Sequence, residues 1–533
     1  MSKLCSATCA GESACVASDW RGRRFRWSCT RTAGLLLALV SAPAAVLYPE
    51  PAGIAAAADF EVRVDGKPAF VYDSPVGPFV HFSMSAPVEV TITVRSGVRY
   101  TTAHEYVMGR RRYKPEPIAL PLQTVDIRPK SARIVPFISG ETVRFGVPRP
   151  LNLSIEFGGN LTRPLFLFAA PEERDAPSPG VSSVRYFAPG KVYDVGRLQL
   201  MSGESVYIAG GAVVRGTILT DGAENVRIHG RGVLDGSDET KAAGAMIELR
   251  RSRNVRVEGI VILNNRNWTV IPRSSRNVTF DNIKMIAWNN NSDGIDIVGS
   301  KDVTIRSSFF RNNDDCIPIK ATPPAVESRG SSQYDVENVL VSECVLWAQG
   351  GNAFEIGFEL RTKSVRHVVL RNSDLIHVRG GAAFSIHNGD WADVSDIEIN
   401  DVRVEDAPDE LIDIFIGLSI YSADAPREYS RVNPSRKPVP PELREPGTGI
   451  HAAQWIRLPG VENGVNRGRV RDVRFLNIQV TSPCPTIARL AGYDAGHPVE
   501  NVLIEGLTIG GAAVRTAEGE RFIIRNAKNI RFK

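Results

Sequence analysis

The sequence predicts an all-β chain, a parallel β-solenoid over residues 191–533 preceded by a small β-sandwich-like domain. Three observations carry this. A short phrase, one polar residue followed by an apolar, an arbitrary and a second apolar residue, returns nine times between residues 225 and 501. Its spacings of 29, 23, 25, 36, 29, 29, 76 and 29 residues cluster near one turn of a stacked β-coil. Helical periodicity is nearly absent throughout.

The phrase reads NVRI at 225, NVRV at 254, NVTF at 277, DVTI at 302 and NVLV at 338. It continues as HVVL at 367, DIEI at 396, DVRF at 472 and NVLI at 501. A single turn cannot bury its inward face, so turns stack and their apolar residues form ladders. A sandwich would not keep one polar residue before the same apolar pair in nine units.

Residues 59–170 read differently. The strand-like runs PVEVTITVRS, LNLSIEF and PLFLFAA lack the phrase and are spaced by turns, as in a β-sandwich. The segment 171–190, opening with PEERDAPSPG, reads as a linker and entry to the helix, with the solenoid starting near Val192. Two steps exceed the period: the 36-residue one holds ATPPAVESRGSSQY (321–334), and the 76-residue one holds DAPREYSRVNPSRKPVPPELREPGTG (424–449). Excursions from a rigid scaffold are where binding loops and lids sit, although simple decoration also fits the second.

Composition is that of a soluble globular protein, 43% hydrophobic and 23% charged with a formal net charge of +5. The first 58 residues hold six basic and three acidic side chains, and without them the charge is +2. Neither nucleic acid nor an anionic membrane surface is implied. In that segment Arg21, Arg23, Arg24 and Arg26 precede the apolar run 33–47, and AAAA follows at 55–58. This is an export pattern, too short to span a bilayer comfortably. It predicts a leader over 1–58, cleaved near Ala58, and a secreted or periplasmic protein. Four of seven cysteines lie in the leader, leaving Cys316, Cys344 and Cys484 with neither a disulfide framework nor a metal spacing. No cofactor motif is present, so none is expected.

The stretch NNNSDGIDIVGSKDVTIRSSFFRNNDDCIPIK (289–320) repeats an acidic corner. Residues 293–298, DGIDIV, fall on 315–320, DCIPIK, at an offset of 22. In a β-solenoid, residues one turn apart stand at the inter-strand distance of about 4.8 Å. Asp293 and Asp315 are therefore expected on neighbouring rungs, with Ile295/Ile317 and Ile297/Ile319 inward and Asp296 and Lys320 alternating outward. Asp314 adds a third carboxylate. Close acids repel, and burial raises at least one pKa. Glycoside hydrolysis needs that split, one carboxyl protonated for the leaving oxygen and another ionised for water or the anomeric carbon. Any one aspartate alone is more readily a turn cap, and a Ca²⁺ site is another use of stacked acids.

The register continues through NAFEIG (352–357) and AAFSIH (382–387). Phe354 and Phe384 extend the inner ladder. Asn352, Glu355, His387, Asn388 and Asp390, with Asp296 and Lys320, are candidate substrate contacts on the outer strip. Glu359 is a possible further pocket acid. Trp268 and Trp288 are candidate platforms for a sugar ring, a use that competes with plain packing.

SDGIDI followed by DDCIPIK resembles the NTDG…DDC signature of glycoside hydrolase family 28, the polygalacturonase-like right-handed β-helices. The resemblance implies Asp314 as general acid and Asp293 with Asp315 as the pair that holds water in an inverting reaction. That family's Gly-His-Gly falls at 351–353 and its Arg-Ile-Lys at 385–387, where this chain has Gly-Asn-Ala and Ser-Ile-His. The missing cations would bind a sugar carboxylate, so a neutral glycan is expected, polygalacturonate being the alternative. The domain layout is similar to glycoside hydrolase family 49, which includes dextranases and isopullulanases. A polysaccharide lyase and a non-catalytic glycan-binding solenoid are the competing readings on this fold. The expected partner is carbohydrate, with no nucleic acid and no membrane span.

Overall fold

The polar residue that opens each phrase is a corner. In the computed structural model, Asn225, Asn254, Asn277, Asp302, Asn338, His367, Asp396, Asp472 and Asn501 all have φ between +54° and +59°. This left-handed region is costly for most side chains and tolerated by Asn and Asp. The corners also bond along the stack: Asn254 Nδ2 donates to Asn225 Oδ1 (3.1 Å) and Asn277 Nδ2 to Asn254 Oδ1 (2.7 Å). Farther on, Asn338 donates to Asp302 (2.8 Å) and Asn501 to Asp472 (2.9 Å).

The structure describes residues 44–95, 106–108, 111–113, 117–237, 244–265, 267–323, 331–445, 451–458 and 466–533. Thirty strands from Val184–Phe187 to Ala527–Phe532 join into one continuous sheet whose turns pair in parallel, the β-helix the phrase predicts. The first apolar position of the phrase runs Val226, Val255, Val278, Val303, Val339, Val368, Ile397, Val473 and Val502, each the register partner of the next. All nine are buried in one core. The coil begins with Val184–Phe187, which pairs with Ser205–Ile208, one strand inside the segment read as linker.

Two five-stranded sheets form the N-terminal sandwich around their own core. Val88–Val94 alternates buried and exposed positions, as a strand with one wet face must. Phe79–Met84 and Leu165–Pro171 are buried almost throughout, because their second face meets the β-helix. There Phe79, Phe166 and Phe168 pack with Val261, Phe309 and Trp347. Beside this cluster His377 bridges Glu156 (2.9 Å) and Asp406 (2.8 Å), and Arg128 pairs with Glu156 and Glu405. The sandwich includes Ala45–Leu47 as an edge strand on Phe79–Met84, so its first sheet takes in residues that the sequence assigns to the leader. The rest of the leader signal, up to residue 43, lies outside the described residues, as do parts of both excursions.

Candidate active site

Two acidic corners enter the strands Ile297–Val298 and Ile317–Ala321, where Ile297 pairs with Ile319 and Val298 with Lys320. The 22-residue offset is thus one turn, and the Gly294 N–H donates to the Asp315 carbonyl at 2.9 Å. Glycine is required at two places around it. A Cβ on Gly294 would lie 2.2 Å from the Cys316 carbonyl oxygen, and one on Gly351 would lie 2.5 Å from the Asp315 nitrogen. These close approaches bring oxygens of Asp293, Asp314 and Asp315 within 4.8 Å of one another.

Their surroundings differ. Asp314 is half-buried; desolvation first, and the Asp293 charge second, push its carboxyl up to about 7. Burial, then Asp314 and Asp293, push Asp315 well above the usual carboxylate range. Asp315 Oδ1 accepts from the Asn352 backbone N–H (2.7 Å) and from its Nδ2 (3.1 Å), while Asn352 Oδ1 accepts from Ala382 N (2.8 Å). Asn352, a candidate sugar contact, is therefore a brace for Asp315. Asp293 Oδ2 accepts from Lys320 Nζ at 2.9 Å, and its buried Oδ1 has no hydrogen-bond partner among the described residues. One oxygen is thereby held and the other offered.

Asp296 and Lys320 leave the apolar interior as expected but do not reach solvent. Asp296 is fully buried, Lys320 is 6% exposed, and they pair at 3.1 Å. Burial, then Asp293, raises the Asp296 pKa well above its ordinary value, and the surrounding carboxylates hold Lys320 charged against its own burial. The Lys320 ammonium sits 3.9 Å from the ring centroid of Trp268, a cation–π contact. Trp268 also lines a cleft with Arg273, Asn291, Glu359, Tyr421 and Arg431, and the Asn291 backbone lies close enough to Asp314 to favour its charged form. The cleft therefore opens beside the trio. Arg431 is exposed and forms no ion pair among the described residues, whereas Arg273 faces Glu248 at 3.4 Å. Tyr421 and Arg431 come from the 76-residue step, whose length was their only signal in the sequence; nothing in the repeat singles out Arg273 or Asn291.

Four other expected contacts are structural. Glu355, His387, Asn388 and Asp390 are all fully buried, because residues 417–445 and 451–458 fold down over their rungs. His387 lies between Glu355 Oε1 (3.1 Å) and Asp413 Oδ2 (2.9 Å), and these carboxylates overcome its burial to lift it to about 10. Ser385 donates to Glu355. Asn388 Nδ2 bonds the Ala392 carbonyl at 2.8 Å, and Asp390 accepts from Ala423 N (2.8 Å) and Leu360 N (3.2 Å). Trp288, expected as a sugar platform, packs against the cluster between sandwich and helix.

Residues 191–414 match the sequence profile described as Glycosyl hydrolases family 28. That match covers 224 of the 533 residues, all of them within the β-helix. Curated relatives include exopolygalacturonase rpg15 of Rhizopus delemar, 26% identical over 209 residues, 37% of this chain and 50% of the relative. Probable endopolygalacturonase D of Neosartorya fischeri is 25% identical over 399 residues, 67% of this chain and 78% of the relative. The chain thus spans only half the length of the first. Similar solved structures include Dex49A from Penicillium minioluteum (16% identity, 90% and 94% of the two chains, TM-score 0.49). A hyperthermoactive exopolygalacturonase from Thermotoga maritima gives 20% identity over 66% and 85%, with a TM-score of 0.45. Among the described residues no helix is long and apolar enough to cross a membrane.

Proposed function

We propose that this chain is an exported hydrolase that cleaves glycosidic bonds of a galacturonate-containing polysaccharide by a three-aspartate acid/base reaction. The observation that carries the chemistry is the trio itself: a carboxyl raised to about 7 within 4.8 Å of a carboxylate fixed by a lysine. Asp314 protonates the leaving oxygen. Asp293, through its unpartnered Oδ1, and Asp315, one rung away, hold the attacking water.

The acidic sugar follows from two points. The neutral-glycan expectation rested on missing cations at Ser385 and His387, but both are buried and face no sugar. The cleft has its own cations in Arg431 and Arg273, and the relatives above are named for polygalacturonate. Reducing-sugar release from polygalacturonate is the expected result; release from dextran alone would restore the neutral reading. Replacing Arg431 by Ala should raise KM for polygalacturonate about 10-fold, the worth of one charge-assisted hydrogen bond. kcat should stay nearly constant, and an equal loss on a neutral oligosaccharide would remove Arg431 from carboxylate binding.

Inversion is expected, although the trio is tighter than the roughly 6.5–9.5 Å usual between acid and base in inverting sites. Two acceptors on adjacent rungs can grip water beside the acid, so it need not stand between opposed carboxyls. NMR of the first-formed sugar decides this, since retained configuration would make Asp293 or Asp315 a nucleophile. The rate should also fall about tenfold per pH unit above about 7. The sign follows from Asp314 acting only when protonated. A rate flat from about pH 6 to about pH 9 would contradict that role.

Export rests on the basic cluster at 21–26 and the apolar run 33–47, with cleavage inside that run, before residue 44. Cleavage there keeps Ala45–Leu47 in its sheet, whereas cleavage near Ala58 would remove it.

A further inference from the structure

The covered end of the polar strip holds side chains that hydrolysis does not use. His387 comes from Ala382–Asn388 and Asp413 from the next rung, Glu410–Ile416. His451 arrives from the long excursion that covers them. All three are buried, and one donor atom from each lies within 4.8 Å of the others. We propose that His387, Asp413 and His451 bind one divalent transition metal of the Zn²⁺ class, which fastens the excursion to the β-helix.

The hydrogen bonds around the three side chains leave the correct atoms facing one another. His451 Nδ1 meets Gln454 Oε1 at 3.2 Å. An amide oxygen only accepts, so Nδ1 carries the proton and Nε2 presents a lone pair. That Nε2 is buried and has no hydrogen-bond partner among the described residues, on a residue only 6% exposed. Glu355 Oε1 occupies His387 Nδ1 at 3.1 Å, which turns Nε2 toward Asp413 Oδ2 at 2.9 Å. Arg489 Nη2 donates to that same Oδ2 at 3.0 Å, and its Nε lies 2.9 Å from the other Asp413 oxygen. A carboxylate behind a histidine and a cation behind an aspartate are the outer partners that orient metal ligands.

A proton alone explains half of this. An imidazolium at His387 would satisfy Glu355 and Asp413 but leave His451 Nε2 buried and unpaired, which costs about 1–3 kcal/mol. A metal satisfies both rings. Two imidazoles with one carboxylate suit Zn²⁺ and its neighbours, while Ca²⁺ and Mg²⁺ require oxygen ligands. Bonds of about 2.0 Å in a tetrahedron set donor atoms about 3.3 Å apart. The His387–Asp413 pair is already near that edge, and His451 closes it by a shift on the order of 1 Å. The rings of Phe358 and Trp455 lie 4.5 and 5.6 Å from His387, giving the site an apolar wall.

The test uses the full chain, stripped with EDTA, incubated with Zn²⁺ and desalted. About one Zn²⁺ per chain and a raised melting temperature are expected, with Ca²⁺ giving neither. His451→Ala should lose both the bound metal and the Zn²⁺-dependent shift. Background metal content in the wild type, or equal content in the variant, would overturn the proposal. Should the variant fail to fold, Co²⁺ in the wild-type chain decides. The intense visible bands of tetrahedral coordination support the site, and their absence removes it. Because the readouts are metal content, melting and absorption, the result is independent of which sugar is cleaved.

Discussion

Asp314→Asn should lower kcat/KM on polygalacturonate by about 10³-fold, within the range of a lost general acid, and leave the melting temperature nearly unchanged. The amide keeps the shape of the carboxyl and its acceptor oxygen for the Asp315 N–H at 3.0 Å. It has no proton to give to the leaving oxygen. The loss should therefore depend on the leaving group: aryl glycosides that depart without protonation should retain most of their rate. Undiminished turnover of the polymer would remove Asp314 from the chemistry and favour a binding role for the cleft. By contrast, Asp315→Asn disturbs a carboxylate braced twice by Asn352, so it should cost stability as well as rate.

Lys320→Met should be the more destructive change. Its ammonium stands between Asp293 Oδ2 at 2.9 Å and Asp296 Oδ1 at 3.1 Å, with both acids buried. Methionine fills much of the space over Trp268 but strands two carboxylates away from water. Breaking a buried pair from one side costs about 3–5 kcal/mol. Without the cation, Asp296 gains a further push toward the protonated form in the folded state. The penalty should therefore be small near pH 4 and grow toward neutrality as the unfolded chain ionises more readily. Asp293 must also stay ionised to accept from water, so turnover should collapse with stability. The double variant Lys320→Met/Asp296→Asn should recover much of the stability, because one stranded charge is gone. A melting temperature at pH 7 equal to wild type would show that the acids do not need the lysine.

Local rules made the scaffold legible. Corner residues such as Asn277 announce themselves because few side chains accept positive φ, and Val278 and Phe280 because both point inward. The stacking of Asp293 on Asp315 followed from the same counting. What counting could not supply was cover from distant segments. His387 and Ser385 sit on the strip predicted to face sugar, yet chain from beyond residue 417 lies over them. Trp288 sits on a turn of the coil like Trp268, but the sandwich meets one and the cleft the other. Asp296 occupies an outward position and is sealed by Lys320 and its neighbours. Period gives the direction in which a side chain leaves the coil; it does not say what waits there.

The corner amides have a consequence for how such a chain changes length. Corner side chains bond from turn to turn in runs, 225–254–277, 302–338 and 472–501, so a whole turn added beside a run keeps its bonds. A fractional insertion inside a strand would throw every later side chain to the opposite face. Growth of the coil is thus quantised, in steps of about 4.8 Å along its axis. Odd-length material is tolerated only where it is extruded, as in the 36- and 76-residue steps. New walls for the cleft can therefore be drafted from loops without moving a single carboxylate of the trio.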